Sequence, residues 1–143
     1  MKEISAVPVL LGPGACLLLA LGCAAPRSAV ETRVSPTPFV RDLADPCDYH
    51  LLLTGKPQTC GMRSGRVRLA PGKSIGRHNT KGNEELLVFL SGAGVALIGR
   101  DMRLQVGAGK AVYIPPQTAH DIVNTGGEPL VYVFCVAPAG ANR

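Results

Sequence analysis

From Gly61 to its C-terminus the chain is cut into short apolar runs bounded by glycine or proline, and polarity within them changes with a period of two. "GRVRLAPG" alternates polar and apolar, and "EELLVFLSG" is a nearly continuous apolar run closed by Gly92. "GVALIG" and "MRLQV" are joined by the turn-like Gly99-Arg100-Asp101, and "KAVYIPP", "AHDIVNTG" and "PLVYVFCVAP" follow. A two-residue period sends successive side chains to opposite faces, which is strand geometry, whereas a helix repeats every three to four residues. About seven short strands at a spacing of roughly eight to twelve residues predict an all-β sandwich or barrel. No stretch in this half reads as a helix of more than two turns. The 17 glycines and 12 prolines among 143 residues provide the punctuation, and the length allows one domain with one core.

The N-terminal part reads differently. "VPVLLGPGACLLLALGC" is too short, and too broken by Pro8, Gly12, Pro13 and Gly14, to span a bilayer as a stable helix. It has the order of a signal peptide: Lys2 in front, the apolar "CLLLAL", then small residues. "LALGC" resembles a bacterial lipobox, with Gly22 before Cys23, although Ala20 stands where leucine is usual and Glu3 dilutes the positive end. The reading is therefore a signal segment over 1–23 with lipidation of Cys23, a flexible, proline-containing tether over 24–46, and a globular domain over 47–143. Such a protein is exported to a bacterial cell envelope or periplasm and held on a membrane by its lipid. Plain secretion with cleavage nearby is the alternative.

Export governs what the cysteines mean. Cys16 lies in the leader and Cys23 is the anchor, which leaves Cys47, Cys60 and Cys135. Cys47 and Cys60 flank a short loop and are the candidate disulfide, a closure of about 3 kcal/mol in the chain-entropy picture. Cys135, inside "LVYVFCVA", reads as a buried small hydrophobe. The net charge of +5 survives loss of the leader, because Lys2 and Glu3 leave together. Outside the cytoplasm that charge concerns envelope surfaces or anionic small molecules, with no nucleic acid as partner.

Two spacings carry the chemistry. Gly72 is followed after five residues by His78; Glu85 comes seven residues after His78, and six residues separate it from Gly92. Gly109 is followed after five residues by Pro115, then by His120, with Asn124 four residues later. The two sets, in this order and with sixteen residues between Gly92 and Gly109, resemble the paired motifs of the cupin superfamily. The resemblance covers residues 72–124 and implies a single small barrel of the double-stranded β-helix, or jelly-roll, type. It also implies a divalent metal ion (iron, manganese, zinc or nickel) and a small-molecule ligand; a homodimer is compatible with it.

The family's first motif has a second histidine where this chain has Thr80, and its second motif has glycine where this chain has Gln117. Gln117 is acceptable there only if the turn avoids the left-handed region or relaxes. The remaining ligand set is His78, Glu85 and His120, two imidazoles and a carboxylate with open positions, the donor set of facial-triad iron sites and one that also suits zinc. Such an ion would polarise a small oxygen-bearing substrate or activate dioxygen, as in oxygenases or isomerases of this kind. His78 and Thr80 share a strand face, so the Thr80 hydroxyl should border the site and hydrogen-bond a metal-bound water. Glu84 faces the other way, and Asn83 is a weak substitute ligand.

Tyr113, in "AVYIPP", is a candidate inward phenol for acid–base work, and Asn124 a candidate pocket residue. Lys81 and Arg77, either side of His78, are candidates for binding an anion at the rim, while His50 lies outside both motifs. The competing function is a metal-free ligand-binding module, or a structural envelope protein, on the same scaffold, because a fold alone licenses no reaction.

Overall fold

The computed structural model describes residues 36–140; the signal segment, Cys23 and most of the tether lie outside the described residues. Eight strands follow one another: β1 (Tyr49–Thr54), β2 (Arg63–Leu69), β3 (Asn83–Ser91), β4 (Ala93–Ile98), β5 (Met102–Gly107), β6 (Ala111–Ile114), β7 (His120–Asn124) and β8 (Leu130–Pro138). There is no helix among the described residues, so the all-β expectation holds. One strand escaped the sequence reading: β1, whose "YHLLLT" is an apolar run flanked by loop-like residues rather than an alternation.

The strands form a five-stranded sheet in the order β1-β2-β8-β3-β6 and a three-stranded sheet in the order β5-β4-β7, and every pairing is antiparallel. The loop after β2 lies along the free edge of β7 as an irregular extra strand. Its amides bond β7 at Gly72 to Asn124 O, Ile75 to Ile122 O and His78 to His120 O.

Register decides what fills the interior. The pairings place side chains in rows across the large sheet: Arg63–Val136–Glu85–Ile114, then Gly65–Phe134–Leu87–Val112, then Tyr49–Val67–Tyr132–Phe89. Alternation sends these rows inward. Leu69, Leu87, Phe89, Val112, Ile114, Leu130 and Tyr132 join Ala96, Val106 and Ile122 of the small sheet in one buried cluster. Gly65 belongs in its row because a side chain there would stand 2.6 Å from the Phe134 ring. Gly92, between β3 and β4, has a φ of 76°, and an added Cβ would lie 2.5 Å from Pro129 O. The tight turn therefore needs glycine twice over.

Three expectations are corrected here. Cys47 and Cys60 are free and exposed. They sit at opposite ends of β1, which separates them by roughly 20 Å at strand rise, far beyond the span of a disulfide. Gln117 does adopt the left-handed region, with a φ of 59°. Its amide donates to the carbonyl of Lys81, itself left-handed at 56°, so the β6–β7 loop is tied to the loop that carries His78. Cys135 faces the outer side of β8 and is only half-buried, its sulfur 3.5 Å from the Ser64 hydroxyl.

A left-handed non-glycine residue is destabilised by about 1–2 kcal/mol, partly balanced by the extra unfolded-state freedom of glycine. Gln117→Gly should therefore raise the unfolding free energy by roughly 0.5–1 kcal/mol, seen as a higher urea midpoint at unchanged slope. An unchanged or lower midpoint would show that the turn bears no strain.

Candidate metal centre

Glu85 and His120 face each other across the barrel rather than along one sheet: Glu85 stands on β3 of the large sheet, His120 on β7 of the small one. His78 joins them from the irregular strand on the edge of β7, where His78 and His120 exchange both backbone hydrogen bonds, at 2.9 and 2.8 Å. The two imidazoles meet edge to face with centroids 4.3 Å apart. One ligand atom from each of His78, Glu85 and His120 lies within 4.8 Å of the others.

The orientation of each imidazole is set by a carbonyl two residues back. His78 Nδ1 lies 2.8 Å from Gly76 O, and His120 Nδ1 lies 2.9 Å from Thr118 O. A carbonyl only accepts, so Nδ1 carries the proton in both rings and Nε2 is left with its lone pair. His120 Nε2 is 3.1 Å from Glu85 Oε2, close enough for an ion pair but not aligned as a hydrogen bond. Both atoms are buried without any hydrogen-bond partner, in side chains only 1% and 5% exposed. Two donor atoms withheld from protein partners and aimed at a shared point are what a cation requires. Burial works against a charged His120, yet the Glu85 carboxylate and the Thr118 carbonyl outweigh it and hold its pKa above the ordinary 6.5.

The centre opens into a cavity of about 450 Å³. Its wall is apolar where the rows of β2, β3 and β8 face it, through Val67, Leu87, Tyr132, Phe134 and Val136, with Tyr49 stacked on Phe134 at 5.9 Å. Its mouth is polar, with Asn79, Thr80, Lys81 and Asn83 from one loop and Arg63 from β2. Thr80 does border the cavity, but its hydroxyl donates to Asn83 O at 3.1 Å. The Asn83 side-chain amide returns a bond to Thr80 O at 2.8 Å, so both side chains close the loop on itself.

Tyr113 and Asn124 are not in the cavity. On β6 the inward positions are Val112 and Ile114, so Tyr113 points out: it is 57% exposed and donates to Glu84 Oε2 at 3.1 Å. Asn124 is inward but four residues along β7 from His120, roughly 13 Å at strand rise. Its amide donates to Leu69 O and Glu128 O while its oxygen accepts from Gly126 N, which makes it a brace for the β7–β8 loop. Arg77 is turned away to the carbonyl of Gly99. His50 forms an ion pair with Asp45, 3.0 Å away on the far side of β1 from the cavity. The sequence reading missed Tyr132 and Arg63. A strict parity count from Val67 would have turned Arg63 inward, and Tyr132 is concealed in a run apolar on both faces.

The Cupin domain family matches residues 65–136. Glucose-6-phosphate isomerase from Pyrococcus abyssi is 37% identical over 70 residues, 46% of this chain and 36% of that enzyme. An uncharacterized protein of Methanocaldococcus jannaschii is 34% identical over 61 residues, 43% of this chain and 48% of that protein. The chain therefore spans between about a third and a half of the length of these curated relatives. Among solved structures, a predicted oxalate decarboxylase from Thermotoga maritima is similar with a TM-score of 0.59 at 26% identity, over 64% of this chain and 79% of that one.

Introducing a third imidazole at Thr80 should complete the ligand set, because position 80 already borders the cavity. Thr80→His is expected to tighten divalent metal binding by about tenfold or more. Loss of the hydroxyl bond to Asn83 O should lower the stability of the metal-free protein by about 1 kcal/mol. Titration calorimetry and urea unfolding read the two effects separately.

Proposed function

The chain belongs to the cupin domain family, and we propose that it is a metal-dependent member that binds a small oxygen-bearing ligand in its barrel. The observation that supports this most is the pair of buried, unpartnered atoms, His120 Nε2 and Glu85 Oε2, converging with His78. Without a metal the two atoms would face only each other, 3.1 Å apart, as a buried ion pair once His120 is protonated. His78, Glu85 and His120 would hold the ion, and a divalent ion there supplies Lewis acidity toward a ligand oxygen at the remaining positions.

The other groups divide the remaining tasks. Burial and the Glu85 carboxylate push the Tyr132 phenol well above its ordinary value of 10, so at neutral pH it keeps its proton and has an O–H to donate to a ligand. The apolar wall of Val136, Phe134 and Leu87 excludes water from one side. The names of the Pyrococcus abyssi and Thermotoga maritima relatives refer to glucose 6-phosphate and oxalate, both small and rich in oxygen, which supports this class of ligand. Metal identity among iron, manganese, zinc and nickel follows from supply as much as from donor set.

Protein purified without a histidine tag is expected to carry about one divalent ion per chain, measured by elemental analysis. Glu85→Gln, which preserves shape, should weaken the ion by about a hundredfold while shifting metal-free stability by only about 1 kcal/mol. Because the folded pKa of His120 is raised above 6.5, a proton competes with the metal below that range. Affinity should rise with pH above 6.5, with proton release on binding. A wild type without stoichiometric metal returns the protein to the class of metal-free binding modules.

The proposal also includes export. "LALGC" supports lipidation at Cys23 and retention of the barrel on a bacterial envelope membrane. Cys23→Ser is expected to move the protein from the membrane fraction to the soluble fraction of an expressing bacterium. Unchanged partition would rule the anchor out.

A further inference from the structure

Arg63 is the inward residue at the open end of β2, two strands along the same row from Glu85, with only Val136 between them. Strand spacing puts its Cα roughly 10 Å from that of Glu85, within reach of an arginine side chain. Arg63 lines the same cavity as His78, Glu85 and His120. Its stem passes beside Gly55 at the end of β1, where an added Cβ would meet the Arg63 Cγ at 3.1 Å.

An arginine aimed into a cavity usually finds a carboxylate, and this one does not. The charged contacts among the described residues join Arg68 to Asp48 and, when the imidazole is protonated, His50 to Asp45 and His120 to Glu85. Lys81 stands at the mouth from the opposite loop, and Glu85 is the sole carboxylate among the lining residues. Two neutral imidazoles and one carboxylate leave a divalent ion with a net charge of +1. Arg63 and Lys81, both exposed at the mouth, then make the cavity positive by three charges, an imbalance that favours an anionic occupant.

We propose that Arg63, assisted by Lys81, forms an anion subsite, so that the ligand of this cavity is a small molecule with a carboxylate or phosphate at one end and further oxygens at the other. The planar guanidinium takes two oxygens of either group in parallel, which fixes the ligand's direction toward the metal ligands. This inference rests on the metal-centre reading for the placement of the far end, but the anion subsite itself needs no ion.

Malonate and inorganic phosphate titrated calorimetrically into the full chain, as isolated and after chelator treatment, test the subsite. Arg63→Gln should weaken both anions by about tenfold or more, and Arg63→Lys by less. Arg103→Gln, an equal loss of charge on β5 away from the cavity, should change affinity by less than about twofold. Metal content should be the same in Arg63→Gln as in wild type. Equal weakening in Arg63→Gln and Arg103→Gln, or no anion binding in wild type, overturns the subsite. Arg63-dependent anion binding in a chain that holds no metal would uphold the subsite and refute the metal centre instead.

Discussion

The antiparallel ladder between β3 and β8 governs the rest of the molecule. It runs from Asn83 opposite Pro138 to Ser91 opposite Val131, with one irregularity near the Gly92 turn, and β2 and β6 are laid on either side of it. Once Glu85 is opposite Val136, alternation leaves no choice about the neighbours: Leu87 and Phe89 must face inward, and Leu86, Val88 and Leu90 outward. A slip of one residue would exchange Glu85 for Glu84 and reverse the whole strand. Apolar burial of Leu87 and Phe89, each worth about 2–3 kcal/mol, is thus what holds a carboxylate in the interior.

A charged group is placed where water is scarce because its neighbours on the strand gain more than it loses. The centre is assembled from groups that the fold leaves incomplete. Each histidine has one nitrogen bound to a backbone carbonyl and the other free, and the glutamate offers an oxygen to no donor. The same sheet row supplies an unpaired cation at the cavity mouth. Other interior polar groups are mostly tied to the backbone: Asn124 uses its amide and carbonyl, and Arg66, buried beneath the chain before β1, donates through one terminal nitrogen to Asp45 O and Cys47 O although its Nε has no partner. The contrast separates polar residues that brace the barrel from those that await a ligand.

The barrel and its ligand trio were legible in the sequence because strand parity and turn glycines are local properties. His78, Glu85 and His120 follow from the resemblance of the two spaced motifs to those of the cupin superfamily. The failures are of another kind. Tyr113 and Asn124 were misplaced because spacing gives a residue's strand but neither its face nor its distance from the open end of the barrel. Arg63 precedes the alternating run "GRVRLAPG", outside the parity that run displays, and Arg66, on the outer face of that strand, is itself buried at 5% exposure. The disulfide failed because β1 was read as loop, and a loop can bring its ends together where a strand holds them apart. Gln117 shows that a left-handed position can be held by side chains other than glycine when a hydrogen bond, here to Lys81 O, secures the turn.

The reciprocal backbone pair between His78 and His120 has a consequence for selectivity. Two donors mounted on one narrow hydrogen-bonded pair have a nearly constant bite, since the backbone pair fixes their spacing and each ring is held by its Nδ1 bond to the carbonyl two residues back. Only the carboxylate, on the opposite wall, is left to accommodate ions of different radius. Discrimination between candidate ions then becomes a matter of how far Glu85 must reach, a rigid calliper with one adjustable jaw.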